Sequence, residues 1–251
     1  LHQYPTTVSL DISRRMQIYQ LAVQYGVAIV EDDYDHEFHY DSQPTAPMAA
    51  DDPAGLVIYI STFSKLMFGG ARIGYVVANN SLIEQVAAYK MVMNHKCNVL
   101  VQQAVAKWMQ QGGFEAHLRR MTRLYQKRRD FMVQQLRSFQ KQGLPILFEV
   151  PAGGMAIWLD TGKSIVGLKE KLLSQRVYLQ TEVEFSRFKA LPDEFTHSLT
   201  SNLANNLADN LPSHLPKKEY RFIRLGFAAM NETEVTQGLA IVMKTLYDLD
   251  A

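Results

Sequence analysis

Leu56-Val-Ile-Tyr-Ile60, Ser61-Thr-Phe-Ser-Lys65 and Phe68-Gly-Gly-Ala-Arg-Ile-Gly74 follow one another almost without a break. The first is a continuous apolar run of strand length, as expected of a buried parallel strand. The lysine then falls just past the carboxyl end of that strand, where open α/β sheets bind ligands. Lys65 is an amine nucleophile with the hydroxyls of Thr62 and Ser64 beside it and the Arg72 guanidinium seven residues on. A carbonyl cofactor carrying a phosphate calls for that combination. The amine condenses with the carbonyl, while hydroxyls and guanidinium hold the phosphate.

A second strand is predicted at Val27-Ala-Ile-Val30, running into Glu31-Asp-Asp-Tyr-Asp35. A pyridine ring withdraws electrons best while its nitrogen stays protonated, and a carboxylate beside that nitrogen favours the cation. Asp32 and Asp33 end one predicted strand and Lys65 follows another. Neighbouring strands lie about 4.8 Å apart, so adjacent ends would let one ring span acid and amine. Tyr34 is placed to bond the ring's phenolic oxygen. A rival reading makes Asp32, Asp33, Asp35, His36, Glu37 and His39 a metal site, but it leaves Lys65 and Arg72 without a role. Thr62-x-x-Lys65 also has the spacing of a hydroxyl–lysine hydrolase pair, without the partner motifs such enzymes carry.

The 251 residues are 47% apolar and 20% charged, an ordinary globular composition. With 26 basic and 25 acidic side chains the chain as a whole gives no case for nucleic-acid or membrane binding. Cys97 is alone, so no intrachain disulfide forms and a reducing, cytoplasmic setting is expected. No apolar run approaches the ~20 residues of a spanning helix.

Around the lysine loop the pattern alternates strand and helix. Ser9 is expected to cap a helix with an apolar stripe of Ile12, Met16, Tyr19 and Val23, stopped at Gly26. Ile73–Ala78 reads as a further strand, and Ser81 with Glu84 has capping-box spacing. That helical stretch is expected to break near 94–98 and end at Gly112-Gly113. From Phe114 to Phe139, Leu118, Met121, Tyr125 and Met132 mark a long amphipathic helix whose arginines and lysines, Arg119 to Arg129, read as a solvated or interdomain face. Beyond it come short strands at 146–150 and 155–159 around Pro151-Ala-Gly-Gly154, a helix over 164–175 and a short strand at 177–179. A strand at 220–225 carries Arg224, and a last helix is capped by Asn231 with Glu234. Leu199, Leu203, Leu207, Leu211 and Leu215 among asparagines read as a surface insertion. The fold class is therefore α/β, a mainly parallel sheet flanked by helices in residues 1–125, followed by a smaller α+β domain in 126–251. Arg224 on its strand suits a bidentate clamp on a carboxylate.

Ser61-Thr-Phe-Ser-Lys with Arg72-Ile-Gly, Ile29-Val-Glu-Asp-Asp-Tyr-Asp-His-Glu-Phe38, His2-Gln-Tyr-Pro-Thr6, Pro151-Ala-Gly-Gly154 and Ile223-Arg-Leu-Gly226 together resemble the fold-type-I pyridoxal-phosphate aminotransferases. Among these they are most similar to the aminotransferase-like domain of MocR-type regulators of the GntR superfamily. The resemblance implies pyridoxal 5'-phosphate as cofactor, joined to Lys65 as a Schiff base, with Asp32 at the pyridine nitrogen and Tyr34 at the ring oxygen. Thr62, Ser64 and Arg72 would hold the phosphate, and Arg224 the carboxylate of an amino-acid or amine effector or substrate. It also implies a homodimer, and DNA binding only through a domain ahead of Leu1. The family's phosphate loop and ring-stacking aromatic residue would likewise precede Leu1, so residues 1–251 alone are expected to bind the cofactor weakly or not at all. A working aminotransferase of the aminoadipate/kynurenine type is the alternative. Thr7 stands where the family has glycine, so a turn needing positive φ would be strained or different there.

Overall fold

The computed structural model describes residues 2–41, 45–67, 69–95, 98–186 and 220–249. Two compact units are present, one of Leu1–Val133, Val150–Ala156 and Gly226–Met230, the other of Gln134–Glu149, Ile157–Leu225 and Asn231–Ala251.

The first unit is built on three strands, β1 (Ile29–Asp33), β2 (Val57–Thr62) and β3 (Gly74–Val77), in the order β1-β2-β3. β1 and β2 are parallel, with Asp32 level with Ile60 and Asp33 with Ser61. β3 runs antiparallel to β2. Parallel pairing among these strands is thus confined to β1 and β2. β1 begins at Ile29 and continues through Asp33, so the acids lie inside the strand rather than past it. Their alternation then decides everything about them. Glu31 and Asp33 face the covered side, Val30 and Asp32 the open side.

Helix α1 (Ile12–Tyr25) is capped by Asp11 rather than Ser9, its carboxylate accepting the Arg14 N–H at 2.7 Å. Gly26, at φ 63°, closes it in the left-handed conformation that glycine adopts without strain. The expected apolar stripe is not the buried one. Ile12, Met16 and Val23 are exposed, whereas Arg15 and Ala22 are buried. The cause is Glu31, which sits buried on β1 and draws the Arg15 guanidinium to 3.2 Å. A buried carboxylate needs such partners. Glu31 takes two more from the backbone, the N–H groups of Met48 and Ala49 in the 3-10 turn Met48–Asp51.

After β3, α2 (Asn80–Asn94) starts one residue before Ser81. Its cap is Asn79, whose side chain accepts the Leu82 N–H. α3 (Val99–Gln110) and α4 (Gly113–Lys141) follow. Phe38, Leu66 and Phe114 form a buried cluster wrapped by Phe63, Trp108, Leu118 and Tyr125. The lysine loop is therefore seated on the start of α4, and the His117 ring donates to the Leu66 carbonyl at 2.8 Å. Arg129 departs from the solvated reading of that face. It is 4% exposed, donates to Asp41, Asp130 and the Pro151 carbonyl, and lies 4.9 Å over the Tyr40 ring.

The second unit holds β4 (Leu147–Phe148), β5 (Ala156–Asp160), β6 (Gln180–Thr181) and β7 (Phe222–Gly226), ordered β4-β5-β7-β6. Helices α5 (Leu168–Ser174), α6 (Glu182–Ser186) and α7 (Glu232–Tyr247) complete it. Its core includes Ile157, Leu159, Ile223 and Leu225 with Leu172 and Leu239. Trp158 stacks on Phe222 with centroids 5.5 Å apart. The short strand expected at 177–179 falls at 180–181, because Arg176 (φ 62°) turns the chain first. Asn231 and Glu234 form the full capping box read from the sequence. The leucine–asparagine stretch at 199–215 lies outside the described residues.

Candidate functional site

The carboxyl ends of β1 and β2 lie side by side, since the two strands pair directly and in parallel. Asp32 is exposed on the open face of the sheet, which it shares with Val30, Ile60 and Thr62. A cavity of about 600 Å³ covers this ground, lined by Asp32, Tyr34, Tyr4, His2, Arg15 and Val30 among others. Tyr4 and Tyr34 meet edge to face across it, ring centroids 6.1 Å apart. The acid and the tyrosine singled out for a pyridine ring therefore line one concave surface, with aromatic walls of the kind small-molecule sites use.

Lys65 stands three residues past the end of β2. Its neighbours Phe63 and Leu66 pack into the cluster on α4 and leave the lysine itself exposed. Among the described residues Lys65 makes no hydrogen bond or ion pair. The Thr62 hydroxyl is already engaged, donating to the Ile73 carbonyl at 3.2 Å and accepting the Ser64 N–H at 3.1 Å. The hydroxyl therefore shapes the loop, and its single proton is spent on the Ile73 carbonyl rather than free for an anion. Arg72 is exposed and holds φ at 47°, the left-handed region, where a non-glycine residue is uncommon. Strain of that kind clusters at ligand clamps. Arg224 lies in the other unit, on β7 opposite Gln180, to which it donates at 3.4 Å. Asp32 and Tyr34 thus share one cavity, Thr62, Ser64, Lys65 and Arg72 lie at and past the end of the neighbouring strand without lining that cavity, and Arg224 belongs to the other unit.

Behind Asp32, on the covered face, is a cluster that the sequence reading missed. Asp33 is 1% exposed. It accepts the Tyr59 hydroxyl at 2.8 Å and the His36 N–H at 3.2 Å, and meets the His36 ring nitrogen at 2.9 Å. Burial pushes the Asp33 carboxyl up, but the hydrogen bond and charge of His36 and the Tyr59 hydroxyl outweigh it and hold the group low. His36 is raised, first by its bond to Asp33 and further by the charges of Glu37 and Asp33. Glu37 is raised by burial. Strict alternation along β1 was the available signal, because it sends Asp32 and Asp33 to opposite faces.

His2 forms a second buried pair, its Nδ1 3.1 Å from Asp35. The ring packs against Gly153 and Gly154, where any side chain would collide with it. The two segments His2–Thr6 and Pro151–Gly154 are therefore packing partners. Among the described residues no group of three or more His, Cys, Asp or Glu side chains takes a metal-binding arrangement. Of the acids and histidines at 32–39, Asp32 and Asp33 take opposite faces of the sheet and the rest follow the end of β1.

The sequence matches the family described as "Aminotransferase class I and II" over residues 4–242. It is 32% identical over 174 residues to aromatic-amino-acid aminotransferase 1 of Thermococcus litoralis, covering 69% of this chain and 40% of that protein. With the probable rhizopine catabolism regulatory protein MocR of Rhizobium meliloti it shares 34% identity over 131 residues, 52% of this chain and 27% of the relative. A crystal structure of a kynurenine aminotransferase from Pyrococcus horikoshii, solved with PMP, superposes with a TM-score of 0.79 at 25% identity. That match takes in 100% of this chain and 55% of the other. The chain thus spans about half the length of that solved structure and less of the two relatives.

Proposed function

The chain belongs to the class I and II aminotransferases, and from that premise we propose that it is the pyridoxal-phosphate-binding, aminotransferase-like part of a MocR/GntR-type transcriptional regulator, responding to an amine or amino acid. The observation that supports the cofactor reading is the direct parallel pairing of β1 with β2, the strands whose carboxyl ends lead to Tyr34 and to Lys65, together with the cavity that Asp32 and Tyr34 line. The residues fit such a ring. An uncovered carboxylate and two tyrosines line the cavity, and an exposed amine follows the neighbouring strand.

When bound, pyridoxal phosphate supplies a carbonyl that condenses with amines and a ring that withdraws electrons from the attached carbon. Asp32 would favour a protonated pyridine nitrogen, as a neighbouring negative charge does. The Tyr34 hydroxyl would donate to the phenolic oxygen. Arg72 and the Ser64 hydroxyl would hold the phosphate, joined by the Thr62 hydroxyl once it turns its proton from the Ile73 carbonyl. The Lys65 amine would be the group that condenses with the carbonyl and could move a proton there. Arg224 would be the clamp for an amino acid's carboxylate.

Two arms test this reading. Pyridoxal phosphate is added to the 251-residue chain and to its Lys65→Ala variant, and borohydride fixes any adduct for peptide mapping. Label at Lys65, absent from the variant, is the expected result even if affinity is low; label scattered over surface lysines in both proteins would remove the assignment. The regulator reading predicts that the intact protein binds amino acids without releasing a keto acid. Turnover to keto acid would favour the second reading, a working aminotransferase, which the Thermococcus litoralis relative supports by its longer match.

A further inference from the structure

Asp32 is bracketed in sequence by two buried acids, Glu31 and Asp33, that both point away from it. Each is tied down. Glu31 is held by Arg15 and two backbone N–H groups. Asp33 has both carboxylate oxygens engaged, by the His36 N–H on one side and by the Tyr59 hydroxyl and His36 ring on the other. With its two neighbours fixed on the far face, the backbone at Asp32 has little freedom, and alternation aims its carboxylate at the open side.

The two anchors differ in kind. The Glu31 anchor consists of a guanidinium and two backbone N–H groups. The Asp33 anchor contains an imidazole, which changes charge near neutrality. His36 lies between Asp33 at 2.9 Å and Glu37 at 3.4 Å, with the Tyr59 hydroxyl of β2 at 3.4 Å and Tyr75 of β3 behind that ring. Losing the imidazolium leaves two acids facing one another across a neutral ring. Asp33 then loses a charge-assisted partner.

Building on the cofactor reading above, we propose that Asp33, His36 and Tyr59 are positioning residues that fix the Asp32 carboxylate from behind the sheet, and that the charge on His36 governs how firmly it is held. The cluster touches neither cavity nor ligand. Its effect passes through one peptide unit of β1.

The test is a carbon-detected NMR titration of the 251-residue chain without cofactor, following the Asp32 side-chain carboxyl and the His36 ring from acid to mildly alkaline pH. The Asp32 resonance is expected to step a second time, coincident with the His36 transition, and to lose that step in His36→Gln and in Tyr59→Phe. A flat Asp32 signal while His36 titrates overturns the proposal in the wild-type chain alone, so a variant that fails to fold does not obscure it. A step that survives in folded His36→Gln overturns it as well. Borohydride labelling of Lys65 is scored separately. Lost labelling with coupling intact strikes the cofactor assignment, whereas labelling without coupling strikes the positioning role.

Discussion

Thr7 holds φ at 63°, a conformation costly for a β-branched residue and free for glycine. The turn that the family makes with glycine is kept here despite the side chain, closed by Thr7 N–H to the Gln3 carbonyl at 2.8 Å. Thr7→Gly is expected to raise stability by about 1 kcal/mol, less than the full left-handed penalty because glycine adds freedom to the unfolded chain. A shift of the urea midpoint to higher concentration at constant slope checks it. His36 and Asp33 predict opposite limbs of a pH profile. The raised His36 contributes fully below about pH 6.5 and loses its contribution as pH rises through its folded-state value. The lowered Asp33 contributes above about pH 3.9 and fails as pH falls through its own folded-state value. Thermal melts of His36→Gln should therefore lack the alkaline decline of the wild type and show a weakened acid one, since His36 is also the chief group holding Asp33 low. At this scale the sequence was half legible. Asp32, Tyr34 and Lys65 stood out by residue type. The pairings of Asp33 with Tyr59 and of His2 with Asp35 join residues 26 and 33 apart, and no local pattern announces them.

The glycine pair at 153–154 and the caps are where elements are decided. A methyl group on Gly153 would run into the Phe38 carbonyl, which is next to the short bridge between His39 and Gly153, and into the His2 ring, which is held by Asp35. Gly153→Ala is expected to cost about 2 kcal/mol, read from the chain's denaturation midpoint. Asn231→Ala removes the oxygen that accepts the Glu234 N–H and should cost about 1 kcal/mol. If circular dichroism melts show no change, the box contributes nothing. The capping box of α7 was readable because its two residues are three apart and bond each other. The starts of α1 and α2 were misread by one or two residues, since Ser9 and Ser81 compete with Asp11 and Asn79 and only geometry chooses. The stripe on α1 was read as buried because apolar spacing outweighed a lone arginine. One buried carboxylate on β1 reversed the choice.

Over the whole molecule, apolar side chains remain uncovered on the open face of the first sheet and on α1, among them Val30 at 61% and Ile12 at 68% exposure. Contiguous apolar surface of this kind binds hydrophobic dyes. The 251-residue chain is expected to enhance anilinonaphthalene sulfonate fluorescence in native buffer, and Val30→Lys should reduce that signal; an unresponsive dye would mean the face is covered in solution. Alternation of strand and helix made the α/β class readable. The antiparallel return of β3 was not, because no sequence period distinguishes strand direction. Glu31 has a consequence at this scale. By holding Arg15 of α1 and the N–H groups of Met48 and Ala49, a single side chain fastens β1 to the helix before it and to a turn midway along the crossing to β2. The span between β1 and that turn is then free to lengthen. Extra residues inserted after Asp41 would leave the moorings untouched, and each doubling of such a span costs only about 0.6 kcal/mol. Descendants of this chain can therefore experiment with the crossing's size and chemistry while the strand that carries Asp32 stays where it is.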